Sequence, residues 1–203
     1  MILSLDTFSE YLGISLIDGH NILVRQTYRK LKPFSELLLD RVDSIFKHLG
    51  YDPSVLFAVC VNKGPGSYTA LRVGITAAKT ISYSLNIPIY AYTSLEAMAY
   101  KYRHYQGVIK TVVNAGKGEC YTSDFISSDF SIKQTSEIKL VKIKDFEKSI
   151  SDDCIAVVSG INMTGKNIFP LTEDLSVEGT LMALKKGLKE DSFLLEPVYI
   201  RSA

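Results

Sequence analysis

Two short segments hold side chains whose types and spacing could do chemistry. The first, Lys63-Gly64-Pro65-Gly66-Ser67-Tyr68-Thr69-Ala70-Leu71-Arg72-Val73-Gly74, leaves an apolar run, turns on two glycines and enters a helical pattern. The leading amides and dipole of such a helix suit an anion. A P-loop needs Gly-Lys-Ser/Thr beginning about five residues beyond its first glycine. Thr69 occupies that place counted from Gly64, and Leu71 counted from Gly66, so the lysine is missing. A dinucleotide fingerprint would need glycine at Thr69. The residues leave two uses open, phosphate binding and a plain strand-to-helix turn, the turn being the commoner. The second segment is Asp6-Thr7, at the end of the apolar run Ile2-Leu3-Ser4-Leu5. An aspartate there can hold a metal-bound phosphate, although an isolated one more often serves a turn or cap.

Other chemistries lack their residues. His20, His48 and His104 form no pair at zinc-binding spacing, and Cys60, Cys120 and Cys154 lie far apart without a Cys-x-x-Cys. Buried, reduced thiols are expected. Ser67 follows Gly66, but the second residue beyond it is Thr69, so no nucleophile elbow is present. Neither a catalytic residue nor a metal or cofactor is assigned.

Charge removes a further class. Lys and Arg total 23 against 22 Asp and Glu, a formal +1, whereas a chain that grips nucleic acid through its own surface carries a clear basic excess. The basic and aromatic run Lys101-Tyr102-Arg103-His104-Tyr105 could touch nucleic acid through Lys101 and Arg103; a solvated linker is the simpler use, and it places a boundary between domains 1–103 and 104–203. The start has no basic region before Asp6, and the longest uncharged stretch, Thr80 to Leu95, holds Asn86 and Pro88. A soluble, cytoplasmic protein without membrane association is expected.

The elements that must position these residues follow from period. Strands are expected at 2–5, 11–17 and 21–28, joined by the turn Asp18-Gly19. Phe34, Leu38, Val42, Ile45 and Leu49 mark an amphipathic helix ended by Gly50. Val55 to Val61 reads as a central strand buried on both faces. A helix follows at about 70–85, then a strand at 87–92, a capping box Thr93-x-x-Glu96 and a helix to about Tyr102. In the second half, strands are expected at 108–114, 119–126, 132–141 and 154–159, and a helix at 176–189 with Ser176 as N-cap. The sum is an α/β chain.

The helix at 70–85 carries a ridge of small residues, Ala70, Gly74 and Ala78, beside an apolar row of Val73, Ala77 and Ile81. Leu71 and Ile75 leave the opposite side apolar too, as if both sides were covered. Packing on the chain's own sheet and a helix-pair interface shared with the Leu37-Leu38-Leu39 helix both fit.

Together these segments resemble the TsaB (YeaZ) family: Ile2 to Thr7, Ser35-Glu36-Leu37-Leu38-Leu39, Gly64 to Gly74, Ile87-Pro88 with Thr93-Ser94-Leu95, and Glu196-Pro197-Val198-Tyr199-Ile200-Arg201. The family usually has His at Phe34, Gly at Ala70 and Asp-Ala-Arg at Asn114-Ala115-Gly116. The resemblance implies an actin-like ATPase (ASKHA, ribonuclease H-like) fold of two related lobes, the second reduced. It implies a non-catalytic paralogue of TsaD that works in N6-threonylcarbamoylation of adenosine 37 in tRNAs reading codons beginning with A. Implied partners are a TsaD-like catalytic subunit, a TsaE-like ATPase and, alone, a second copy, with tRNA reached only through the complex. The partner interface would use Ser35, Leu38, Leu39, Ala70, Leu71, Gly74, Ile75 and Ala78. Asp6, Thr7, Gly64, Gly66, Ser67 and Thr69 would be a vestigial phosphate-binding set. The alternative is a small ATP-dependent phosphotransferase or hydrolase that uses Asp6 and the Gly64–Thr69 loop.

Overall fold

The computed structural model describes residues 1–200, so Arg201 of the terminal motif lies outside the described residues. Strands β1 (Ile2–Asp6), β2 (Tyr11–Asp18) and β3 (Asn21–Arg29) form the expected antiparallel set. Strand β1 is buried on both faces, so its period-2 alternation divides it. Leu3 and Leu5 join the core under the first helices, while Ile2 joins a second core on the other face.

A single turn of 3-10 helix, Phe34–Glu36, precedes α1 (Leu38–Leu49), so the expected helix is split at Leu37. Gly50 closes α1 in the left-handed conformation, at φ 69°. Strand β4 covers only Ala58–Asn62. Its expected beginning is instead a 3-10 turn, Pro53–Val55, where the Asp52 carboxylate accepts from Ser54 N, and Val55 and Phe57 are exposed. Helix α2 (Tyr68–Leu85) is followed by β5 (Ile89–Tyr92) and α3 (Ser94–Lys101). The Thr93 hydroxyl accepts from Glu96 N as a cap should. The Glu96 carboxylate, however, takes the Thr93 hydroxyl at 3.0 Å and Lys186 Nζ at 3.0 Å instead of completing a capping box.

Strands β6 (Gly107–Gly116) and β7 (Glu119–Ser128) make the expected second hairpin. The strand expected at 132–141 is two pieces, β8 (Ser131–Gln134) and β9 (Lys139–Lys142), both on β7 and separated where Thr135 N donates to Asp124 O. Then come α4 (Ile143–Lys148), β10 (Cys154–Ser159), β11 (Ile168–Pro170), α5 (Ser176–Lys186) and β12 (Lys189–Glu190). The short α4, β11 and β12 had no period by which to be recognised. Helix α5 ends three residues early because Gly187 takes φ 65°.

The sheet orders are β12-β5-β4-β1-β2-β3 and β11-β10-β6-β7-β8. With β12 and β9 set aside, both have two antiparallel pairings on one side and two parallel pairings on the other. One topology is used twice. The reduction of the second lobe is also local: β4 and β5 are joined through α2, whereas β10 and β11 are joined by the non-helical residues 160–167.

The helices do not respect the division at residue 103. Helix α3 leans on β6, β7 and β8 of the second sheet, and α5 packs on β1, β2, β4 and β5 of the first. Strand β12 extends that first sheet beside β5. Residues 174–200 therefore pack largely against the first sheet, across the boundary expected between 1–103 and 104–203. The segment 191–200, without helix or strand, runs back along α2, held by buried Leu195 and by Val198 N donating to Lys63 O at 2.7 Å. Among the described residues no helix is long and apolar enough to cross a membrane.

Candidate functional site

Asp6 is wholly buried and occupied by the protein itself. Its Oδ1 accepts from Asn62 Nδ2 at 3.0 Å and Phe8 N at 3.3 Å, and its Oδ2 accepts from Leu175 N, at the start of α5, at 2.6 Å. A carboxylate aimed at a helix N-terminus is favourable. Here it fastens α5 to the end of β1. Burial, with the negative charge of Asp174 behind it, pushes the Asp6 carboxyl up to about 7 against the pull of those three donors.

The rest of α5 is fastened by hydroxyls. Ser4 Oγ donates to Ser176 O at 2.7 Å, Thr180 Oγ1 donates to Ser4 Oγ at 2.7 Å, and the Ser15 and Ser176 hydroxyls are 2.5 Å apart. Asp174 accepts from Ser176 N at 2.8 Å and from the Ser176 and Thr27 hydroxyls; the N-cap is Leu175, without a side-chain cap, and not Ser176 as the sequence suggests. Gly13 of β2 makes room for Asp174, since a Cβ there would overlap the Asp174 side chain. Arg25 reaches Asp174 O at 2.7 Å and the Glu173 carboxylate at 3.0 Å. Lys101 pairs with Glu173 at 2.7 Å and Glu178 at 3.2 Å, and Arg103 donates to Tyr100 O. Lys101 is thus paired inside the protein, while Arg103 stacks over the Tyr100 ring without an ion pair among the described residues. Sequence reasoning missed Arg25, Asn62 and Asp174; hydroxyls at Ser4 and Ser15 within otherwise apolar strands were the available signal for a polar seam.

The six residues proposed for phosphate are not brought together. The Asn62 amide oxygen accepts from Gly64 N at 2.8 Å, and Ser67 N donates to Phe8 O at 2.9 Å, so the loop is tied to its own neighbours. Thr7 lies buried beneath Gly74, and Thr69 faces away on the outer side of α2. Only Gly66 and Ser67 of the set line the cleft between the lobes, a cavity of about 610 Å³. Glu10 is the only charged side chain among its described lining residues. A polyphosphate there would meet a carboxylate and no cation. Asn114, where the family has Asp, joins the two strand ends at this cleft: its Nδ2 donates to Gly160 O at 2.7 Å and its Oδ1 accepts from Gly116 N at 2.8 Å. Among the described residues no three His, Cys, Asp or Glu side chains gather as a metal site requires.

The interface set divides. Ala70, Leu71, Gly74, Ile75 and Ala78 are buried in the chain's own core, and a Cβ on Gly74 would overlap Thr7 Oγ1. The small-residue ridge lets α2 approach the loop after β1, not a second protein. What remains outside is the row beside it. A groove of about 450 Å³ runs between α1 and α2, with Ser35, Leu39, Tyr68, Thr69, Arg72 and Val73 on its walls and Leu38 and Ala77 at its floor. Leu39 is 57% exposed. Thr80, also on the groove, donates its hydroxyl back to Thr76 O at 2.9 Å, so it adds little free polarity.

A family model described as TsaD, tRNA N6-adenosine threonylcarbamoyltransferase, matches residues 29–187, most of the chain. The Bacillus subtilis "tRNA threonylcarbamoyladenosine biosynthesis protein TsaB" is 34% identical over 152 residues, covering 74% of this chain and 66% of that protein. The chain belongs to the TsaB (YeaZ) family, within the wider group matched by the TsaD model. The TsaB of Haemophilus influenzae is 25% identical over 99% of this chain and 93% of its own length. The matches span just under two thirds of the Bacillus subtilis protein, at 66%, and 62% of a Buchnera aphidicola TsaB. A solved structure described as "YeaZ from Pseudomonas aeruginosa" superposes with a TM-score of 0.80 over 98% of this chain and 99% of that one, at 15% identity. A second Pseudomonas aeruginosa structure, of a protein with similarity to peptidase YEAZ, gives 0.82 at 16% identity. The fold is the actin-like, two-lobed fold of YeaZ, with the second lobe reduced.

Proposed function

We propose that this chain is a non-catalytic subunit that binds and supports a TsaD-type tRNA N6-adenosine threonylcarbamoyltransferase. In that role it serves the modification of adenosine 37 in tRNAs that read codons beginning with A. A TsaE-type ATPase joins the pair, and tRNA is met through the complex. A second copy takes the same surface when the partner is absent. The observation that carries this reading is the uncovered apolar groove between α1 and α2. A TsaD-type protein of the same wider family brings its own equivalent of these two helices.

Leu39→Asp tests it. A carboxylate placed at a buried apolar contact costs about 2–4 kcal/mol when an interface hot spot is lost, so the complex with the TsaD-type subunit should weaken by about 30- to 1,000-fold in calorimetry. Because Leu39 is 57% exposed, the thermal midpoint of the isolated chain should not move. Unchanged affinity would refute the groove as the docking surface.

The phosphotransferase alternative finds less support. Its aspartate is closed over by α5, and its cleft offers a polyphosphate no cation. Calorimetry of the isolated chain with ATP and magnesium is expected to be flat; saturable binding abolished by Asp6→Ala would restore that alternative.

A further inference from the structure

The apolar surface does not stop at the groove. On the far side of α2, Tyr83, Phe193 and Leu194 are 74%, 78% and 77% exposed, with the Tyr83 and Phe193 rings in edge contact at 6.4 Å. Side chains of that size and exposure present on the order of 400 Å² of surface, as much as the largest patch on an ordinary monomer. The backbone enforces the exposure. Asp191 Oδ1 accepts from Phe193 N at 2.8 Å, and Asp191 O accepts from Leu195 N at 2.9 Å. This turn drives Leu195 into the core and so leaves Phe193 and Leu194 outside. Lys79 holds the same segment to α2 through Phe193 O at 3.4 Å and Glu196 at 3.6 Å. At its other end Tyr199 packs against Tyr68, itself a wall of the groove, with ring centroids 5.3 Å apart. The two surfaces also meet at mid-helix, because Thr80 borders both the groove and the hollow beside Phe193.

We propose that residues 191–199 form the third wall of the docking surface. One TsaD-type subunit seated in the groove straddles the exposed crest of α2 and covers Phe193 and Leu194 as well. The proposal rests on the partner reading above and commits to the same occupant, because the ridge is continuous with the groove through Thr80 and Tyr68. The occupant's chemistry is a helix pair with an apolar face wide enough to span α2.

The test compares Leu39→Asp with the double variant Phe193→Ser/Leu194→Ser in the full chain, with the TsaD-type subunit titrated by calorimetry. The double variant should weaken the complex at least tenfold without moving the thermal midpoint. If Leu39→Asp weakens the complex and the double variant does not, the third wall is refuted and the groove stands. If neither weakens it, both are refuted. If the double variant abolishes only self-association, measured by sedimentation, the ridge serves a second copy and the proposal fails. A second readout tolerates any loss of stability in the double variant: Phe193→Cys should react with a maleimide when free and be protected in the complex. All three native thiols are buried, so labelling reports the introduced one. Equal reactivity in both states overturns the proposal.

Discussion

Replacing Gly74 by leucine should strongly destabilise the subunit itself, lowering its melting temperature by roughly 10 °C or more, at about 2–4 °C per kcal/mol for a chain of this size. The sequence pattern alone suggests a milder outcome, in which a bulky residue on an outward ridge blocks a partner helix and spares the subunit. The structure reverses this, because the ridge faces inward. A Cβ at Gly74 would overlap Thr7 Oγ1 and lie 3.2 Å from Thr7 Cγ2. Thr7 cannot give way easily: it is fully buried, and the residues on either side, Asp6 and Phe8, are bonded to each other. Alanine at a helix interior gains up to about 1 kcal/mol over glycine, while overpacking a core costs about 1–3 kcal/mol, so packing decides even for Gly74→Ala. For a chain of this size that variant should melt about 5 °C lower. Leucine adds three more carbons where the first does not fit, and its cost should exceed about 4 kcal/mol. Circular dichroism melts of the two variants check this. A Gly74→Leu protein that melted like wild type and lost only its partner would return the ridge to the interface.

The second large effect is on pH dependence. Asp6 has a folded-state value raised to about 7 from an ordinary 3.8, by burial first and the Asp174 charge second. A carboxyl raised in the folded state contributes stability that is full below its unfolded value and is lost as pH rises through the folded one. Over the window from about 4 to 7 the loss from this one group is about 4 kcal/mol. Asp6→Asn cannot ionise, so the stability difference between variant and wild type should shift in the variant's favour by up to that amount on going from pH 4 to pH 8. Urea unfolding at several pH values measures it. The variant need not be more stable outright, because its amide cannot accept from Leu175 N, Phe8 N and Asn62 Nδ2 together. A difference that stayed constant with pH would mean that these donors keep Asp6 ionised throughout.

The first three strands, α1, α2 and the central place of β4 were legible because period and end signals agreed: Asp18-Gly19 at the hairpin, Gly50 after α1, Asn86 after α2. Repetition of the topology was legible only through the family resemblance. Periodicity showed that residues 70, 74 and 78 share a face, but not which neighbour that face meets; Thr7, which decides it, is 67 positions from Gly74 in the chain. The same limit hid the roles of Asp6 and Asp174. Each looks like a local turn or cap residue, and their actual partners come from opposite ends of the sequence. Thr69 shows the reverse: it belongs to the loop motif by spacing, yet the turn of α2 carries it to the outer groove.

The exchange of α3 and α5 between the sheets bears on the order in which the chain can acquire structure. Strands β1, β2 and β4 are made early in synthesis, but the helix that covers their second face begins at Ser176. Until then Ser4, Asp6 and Ser15 have none of their partners from residues 174–180. Contacts of such sequence separation form late and slowly. A growing chain released at residue 103 would be a sheet with one bare face, so folding of the first lobe should wait until α5 has been made. A nascent-chain series would show protease resistance of residues 1–103 only after α5 has left the ribosome.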